Sequence, residues 1–307
     1  MRIFLNTLFW LFFAIVSSIF IALVALDIAS SRRLESINET LSDTDIAVFN
    51  TAEVDGLTVA YRTWGNEENP PMVLIHGFLG SSYDYRYFAE ALKDTHYLIG
   101  IDLIGFGHSD KPSDFLYTSA NQAVFIQNFL SHLDVEDYVL VGHSMGGDIA
   151  LRLTVLEGVS VSQLVLLAPA GLESGNAQTL PPFFYNHIFS NYYLQRLGFN
   201  TVYYQEQYQT PRYFDPMFYF TATIPPKTLI AFGENSDTKP LIELLPSILV
   251  DTIIVFGQED TWVSMENGFI FEEKLINSTF HVIENTGHMP MIESLDTWIA
   301  DLREFLE

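Results

Sequence analysis

Apolar positions along the chain form short runs that alternate with helical patterns. The runs typical of buried strands lie at residues 72–75, 97–101, 138–141, 164–167, 252–256 and 280–283. Helical patterns lie at about 83–93, 119–133, 145–156, 265–276 and 294–306. Two further strands, 46–54 and 57–64, flank Asp55-Gly56, a dipeptide typical of a hairpin turn. This order predicts an α/β fold with a mostly parallel eight-stranded sheet and helices on both faces.

Residues 172–246 break this alternation. They contain two Pro-Pro pairs, and 15 of the 38 positions from Phe183 to Phe220 are Phe or Tyr. Such a segment fits neither the strand nor the crossover pattern. It predicts a helical insertion that divides the α/β core into residues 46–171 and 247–307.

The N-terminal segment Ile3–Leu26 carries no charged residue. Its 24 residues would form a helix of about 36 Å, enough for a hydrocarbon core of roughly 30 Å. We therefore expect a membrane anchor within residues 1–30 and a polar tether at 31–45. A cleaved signal peptide is the alternative, since small residues near Ala25 permit cleavage, and the protein would then be secreted.

Composition excludes several function classes. The net charge of −24 leaves no basic stripe to neutralise phosphates, so nucleic acid is not an expected partner. The absence of cysteine excludes disulfides, thiolate metal sites and a cysteine nucleophile. No metal-binding or nucleotide-binding motif is present, so neither a metal nor an organic cofactor is expected.

The most specific motif follows the apolar run 138–141. Residues 142–147 read Gly-His-Ser-Met-Gly-Gly, and a helical pattern follows them. A G-x-S-x-G sequence between a strand and a helix makes a sharp turn that exposes the serine hydroxyl. Ser144 is therefore the candidate nucleophile.

From about residue 50 to 307 the chain resembles the α/β-hydrolase family. The resemblance rests on the Ser144 turn and on three other motifs, namely His76-Gly77-Phe78, Asp102-Leu-Ile-Gly-Phe-Gly-His-Ser109 and Asn285-Thr-Gly-His-Met-Pro290. It implies that the insertion 172–246 is a cap domain. It also implies that His288 is the catalytic base and that Asp260, in Gly257-Gln-Glu-Asp260, is the acid that orients it. The backbone N–H groups of Phe78 and Met145 would form the oxyanion hole.

Some neighbouring residues compete for these roles. Asp237, in a similar turn at 232–237, is the rival acid, whereas Glu259 is expected to be solvated. His143 is expected to pack beside the nucleophile without acting as the base. His76 is expected to brace its loop, and Asp102 to accept backbone N–H groups in a tight loop.

The resemblance implies acyl transfer to water through an acyl-enzyme. The motifs are similar to those of bacterial lipases and esterases and of membrane-anchored monoacylglycerol lipases, which implies an apolar ester as the substrate. Together with the span at residues 3–26, this implies a protein anchored in the bacterial inner membrane. Arginines flank both ends of the span, so they do not determine on which side the catalytic domain lies. The alternatives are carbon–carbon bond hydrolysis on the same scaffold and a catalytically silent binding protein. A serine at the turn argues against the related dehalogenases and epoxide hydrolases, which use aspartate there.

Overall fold

A computed structural model describes residues 2–41, 44–172, 188–234 and 240–307. Its sheet has the order β1-β2-β4-β3-β5-β6-β7-β8. The first two pairings, β1–β2 and β2–β4, are antiparallel, and the other five are parallel. The predicted mostly parallel eight-stranded sheet is thereby confirmed. Its strands are β1 Asn50–Val54, β2 Leu57–Trp64, β3 Pro71–Ile75, β4 Tyr97–Ile101, β5 Tyr138–His143, β6 Val161–Leu167, β7 Thr252–Gly257 and β8 Ser278–Ile283.

Helices cover both faces of the sheet and extend the fold at its N-terminus. They are α1 Arg2–Leu41, α2 Arg86–Leu92, α3 Ser119–His132, α4 Met145–Thr154, α5 Tyr192–Phe199, α6 Pro211–Thr221, α7 Pro226–Glu234, α8 Met265–Lys274, α9 Pro290–Glu293 and α10 Leu295–Leu306. Strand β3 shows why both faces are covered: Val73 and Ile75 belong to one core cluster, while Met72 and Leu74 belong to the other. Burial of alternate residues on both sides is what a continuous apolar run in a parallel strand requires.

The first strand is shorter than predicted. Residues 45–47 form one turn of 3₁₀ helix, and β1 begins only at Asn50. Ile46 is fully buried, and its carbonyl accepts a hydrogen bond from the Arg62 guanidinium. Ile46, which suggested a strand because it is apolar, is therefore buried in the core although it lies in a turn.

Helix α1 contains the apolar N-terminal segment. Its Trp10–Leu41 part is long and apolar enough to cross a membrane, judged by length and composition, as a signal sequence can also be. The large apolar side chains between Trp10 and Val24 are exposed, with Phe20 at 67%. A helix that presents apolar side chains on all sides needs an apolar surrounding. The segment is thus an apolar helix suited to a membrane anchor or a signal sequence.

The expected tether departs most from its prediction, because residues 31–41 continue α1 as helix. Ile37 is only 2% exposed and belongs to a core cluster that includes cap residues. The Arg33 Nη2 lies 2.6 Å from Asp215 Oδ2 on α6, and the Ser30 hydroxyl accepts the Tyr192 N–H at 2.8 Å. Asn191 donates to Asp27 at 2.8 Å. The C-terminal part of α1 thus uses Asp27, Ser30 and Arg33 to bind residues 191–215 of the insertion.

This packing makes the end of α1 part of the folded domain. We expect a protein comprising residues 42–307 to unfold at a Tm roughly 5–10 °C below that of residues 27–307, because it loses the burial of Ile37 and the hydrogen bonds of Ser30. Thermal unfolding followed by circular dichroism measures the difference. Within the longer protein, Ile37→Ala should reproduce part of the loss, whereas Ile28→Ala, at a 51% exposed position, should not. Equal Tm values for the two proteins would show that the docking of α1 adds no stability.

Candidate active site

Ser144 lies in the sharp turn between β5 and α4. Its backbone has φ 53° and ψ −120°, a conformation that a residue with a Cβ rarely adopts. The turn tolerates no side chains on its glycines, since a Cβ on Gly142 would lie 2.4 Å from the Gly146 carbonyl oxygen. The Ser144 N–H donates to Leu167 O at 2.9 Å, which ties the turn to β6. The structure therefore holds this serine in a strained position at the carboxyl end of the sheet.

His288, which lines the same cavity as Ser144, is in direct contact with Asp260. The His288 Nδ1 lies 2.7 Å from Asp260 Oδ2, and the two side chains are 6% and 0% exposed. The other carboxylate oxygen, Oδ1, accepts the N–H groups of Trp262 at 2.7 Å and Val263 at 3.0 Å. Asp260 follows β7 and His288 follows β8, so the strand ends bring together residues that are 28 positions apart. A carboxylate on Nδ1 leaves Nε2 as the nitrogen that can accept a proton.

The loop that carries His288 is held from several sides. The His288 N–H donates to Val202 O of the cap at 2.8 Å, and the His288 carbonyl accepts from His143 Nε2 at 2.8 Å. Glu259, which we expected to be solvated, is instead half-buried and accepts the Thr286 N–H at 2.8 Å. Its carboxylate is drawn inward because the Thr286 N–H needs an acceptor at that turn.

Two buried histidines, His143 and His76, form hydrogen bonds that support the loops of the site. His143 donates from Nε2, and burial lowers its pKa well below the ordinary value, so the ring is neutral. His76 donates from Nδ1 to Gly77 O at 2.7 Å and accepts the Leu103 N–H at Nε2, 3.0 Å away. Burial lowers the pKa of His76 as well. Both rings form hydrogen bonds with backbone groups, as expected for residues that support loops.

The loop after β3 lies directly against Ser144. A Cβ built on Gly77 would be 3.0 Å from the Ser144 Cβ, so only glycine allows this approach. Phe78 follows in the loop, and Met145 begins α4 next to Ser144. Within the described part of the chain, neither the Phe78 nor the Met145 N–H has a hydrogen-bond acceptor. Two unbonded donors thus flank the serine, at the positions predicted for the oxyanion hole.

Asp102 occupies a structural position near this loop. Its Oδ1 accepts the Ser82 N–H at 2.7 Å and the Ser82 hydroxyl at 2.6 Å, while Oδ2 accepts the His108 N–H at 2.8 Å. The carboxylate is fully buried and joins the end of β4 to the 3₁₀ turn at residues 82–85, which precedes α2. These bonds agree with the expected role in a tight loop.

Glu293 is a site residue that sequence reasoning missed. Its Oε1 accepts the Gly287 N–H at 3.0 Å, and its Oε2 accepts the N–H groups of Tyr204 at 2.8 Å and Gln205 at 3.1 Å. Burial raises the pKa of this carboxyl, while the backbone donors oppose the shift. One side chain therefore joins the His288 loop to the cap. The sequence offers one signal for this role: Glu293 is the single charged residue of the otherwise apolar helix α9.

A cavity of about 220 Å³ opens in front of Ser144 and His288. Mostly apolar side chains make its wall. They come from the loop after β3, from residues 188–217 of the insertion, and from the loops after β7 and β8: Phe78, Leu79, Ile188, Phe189, Leu194, Phe199, Val202, Tyr203, Tyr213, Pro216, Met217, Trp262 and Met289. Other cap aromatics, such as Phe214 and Phe218, are fully buried in the core instead. The rival acid Asp237 lies outside the described residues.

Comparisons with known proteins identify the family and agree with the fold. Residues 70–295 match the profile of the alpha/beta hydrolase fold family. The chain is 30% identical over 276 residues to the uncharacterized hydrolase YugF of Bacillus subtilis, covering 83% of this chain and 96% of that one. It is 24% identical to Lipase 1 of Psychrobacter immobilis, covering 92% and 90%. Among solved structures, a bacterial membrane phospholipase A superposes with a TM-score of 0.72 at 25% identity, covering 100% of this chain and 98% of that one.

Proposed function

The chain belongs to the alpha/beta hydrolase family, and we propose that it is a serine hydrolase that cleaves carboxylic esters. The proposal rests above all on the 2.7 Å contact between His288 Nδ1 and Asp260 Oδ2, at a cavity that Ser144 shares with His288. In this assignment Ser144 is the nucleophile, His288 the general base and Asp260 the acid that orients it. The backbone N–H groups of Phe78 and Met145 form the oxyanion hole.

The reaction proceeds through an acyl-enzyme. The Ser144 Oγ attacks the ester carbonyl carbon while His288 Nε2 takes the hydroxyl proton. The two N–H donors stabilise the oxyanion, each contributing on the order of 3 kcal/mol. The imidazolium returns the proton to the departing alcohol, so the acyl group remains on Ser144. Water then attacks the acyl-enzyme with His288 again as base, which releases the carboxylic acid and restores the serine.

The cavity and the N-terminal helix together favour a lipid-like ester, such as an acylglycerol. The cap lines the cavity with apolar side chains suited to an acyl chain. An apolar helix at residues 3–26 would hold the enzyme at a membrane, which we take to be the bacterial inner membrane, where such esters are concentrated. Relatives named as a lipase and a membrane phospholipase A support the same substrate class. We accordingly divide the chain into an anchor, a core of residues 46–171 and 247–307, and a cap of residues 172–246.

A substrate comparison tests the proposal. Full-length protein in non-ionic detergent should hydrolyse p-nitrophenyl esters, and a fluorophosphonate probe should label one serine, identified as Ser144 by peptide mass spectrometry. Both results require a serine activated by a base next to an oxyanion hole. Turnover of a ring-fission diketone without ester turnover would assign carbon–carbon bond hydrolysis instead. Neither turnover nor labelling would indicate a catalytically silent member of the fold.

A further inference from the structure

The mostly apolar wall of the cavity in front of Ser144 includes one arginine, Arg86, which also lines an outer groove with Tyr83 and Tyr87. Arg86, the first residue of α2, is the only lysine or arginine among the described residues that line it. A cation placed beside apolar side chains is costly unless other groups compensate it. The groups that surround Arg86 therefore indicate what it is available to bind.

Tyrosine rings hold this guanidinium in place. Its central carbon lies 4.5 Å from the Tyr83 ring centroid, 4.4 Å from that of Tyr87 and 6.0 Å from that of Tyr213. Its Nη1 donates to Tyr83 O at 3.0 Å. Stacking on aromatic faces stabilises a cation without using its N–H donors, of which a guanidinium has five. Arg86 thus keeps a fixed position. Its bonds to the Tyr83 carbonyl and the Tyr87 hydroxyl leave its other N–H donors for a ligand.

Carboxylates compensate Arg86 only weakly. None of the described Asp or Glu side chains comes within 4.0 Å of it as an ion-pair partner. Asp84 lines the same cavity, and its Oδ2 accepts the Ser81 N–H at 3.1 Å. Burial raises the pKa of this carboxyl, although the charge of Arg86 opposes the shift. Glu90, near the outer side of Arg86, pairs with Lys93 at 2.6 Å. A second cation, Arg212, stands outside the cavity with its central carbon 5.7 Å from the Tyr213 ring.

We propose that Arg86 binds an anionic group of the ester substrate, a phosphate or a carboxylate, so that the cavity selects negatively charged acyl esters over neutral ones. This inference rests on the proposed ester hydrolysis and adds the substrate class to it. A guanidinium presents a planar fork of donors that matches the oxygens of either group. Because the whole chain carries a net charge of −24, the attraction must act at short range, inside the cavity.

The test compares three lauroyl esters in full-length protein solubilised in non-ionic detergent. The substrates are 1-lauroylglycerol, which is neutral, 1-lauroylglycerol 3-phosphate and lauroyl glycerate, so that the last two separate phosphate from carboxylate. Wild-type protein should show the higher kcat/KM with at least one anionic ester. Arg86→Gln should lower the ratio of anionic to neutral kcat/KM by about tenfold, mainly through KM, because a charged hydrogen bond is lost. Arg86→Lys should retain part of the ratio, since it keeps the charge but not the fork.

Two controls keep the result interpretable. Arg303→Gln removes an exposed arginine whose Nη2 donates to Ala91 O, at the other end of α2, and should leave the ratio near the wild-type value. Binding of the three lipids is also measured in Ser144→Ala protein, with and without Arg86→Gln. The wild-type Arg86 should give the same charge preference there without catalysis, so this measurement tests Arg86 even where ester hydrolysis fails. Two results would overturn the proposal. One is an equal loss of kcat/KM on all three esters in Arg86→Gln. The other is a wild-type protein that prefers no anionic ester in turnover or in binding.

Discussion

Ser144→Ala is expected to lower kcat for p-nitrophenyl ester hydrolysis by about four orders of magnitude or more. In the proposed mechanism the variant lacks the oxygen that forms the acyl-enzyme, and no other hydroxyl can take its place in the strained turn at φ 53°. Some rate above that of water should remain, because the Phe78 and Met145 N–H groups still stabilise an oxyanion. Stopped assays with purified protein measure this residual rate.

The matched control is Ser247→Ala, which removes an exposed hydroxyl that donates to Leu244 O. It should keep wild-type kcat and fluorophosphonate labelling. Since alanine also carries a Cβ, Ser144→Ala keeps the strain of the turn, and its circular dichroism and Tm should match the wild type. Ester turnover that survives in a folded Ser144→Ala protein would remove this serine from the mechanism.

Asp260→Asn is expected to lower kcat by about 10³–10⁴-fold with little change in KM. The N–H groups of Trp262 and Val263 bind one oxygen of Asp260, and the asparagine oxygen should take that position. The amide NH₂ would then face His288 Nδ1, which must accept instead of donate. The ring proton moves to Nε2, and the base is lost. Steady-state kinetics of the variant and the wild type at one pH measure the loss of kcat and any change in KM.

Two neighbours serve as controls for this acid. Glu259→Gln alters the bond to the Thr286 N–H and should reduce kcat far less, because Glu259 does not contact the imidazole. Asp237→Asn tests the rival from the sequence and should leave kcat close to the wild-type value. A larger loss in Asp237→Asn than in Asp260→Asn would exchange the roles of the two acids.

The catalytic candidates could be predicted because each follows a strand within a short motif. Ser144, Asp260 and His288 lie at the ends of β5, β7 and β8, and a parallel sheet brings such ends to one edge. The pattern of apolar runs indicated that sheet before any contact was known. The motifs that carry the family resemblance therefore supplied most of the information for these three positions.

Contacts between distant segments were not predictable in the same way. The polar stretch after Leu26 looks like a tether because nothing local shows that Arg33 meets Asp215, 182 positions away. Glu293 likewise finds the Tyr204 N–H 89 positions earlier in the chain. A charged side chain is ordinarily exposed, so its burial depends on backbone donors that only the folded cap supplies.

The hydrogen bonds between the cap and the His288 loop have a consequence for the timing of a catalytic cycle. Val202 O holds the His288 N–H directly, and Glu293 ties Tyr204 to Gly287, the residue before His288. If residues 202–205 moved away to admit a bulky lipid, those bonds would break and the loop that carries His288 would lose its supports. Substrate entry and the position of the imidazole are therefore coupled through these hydrogen bonds.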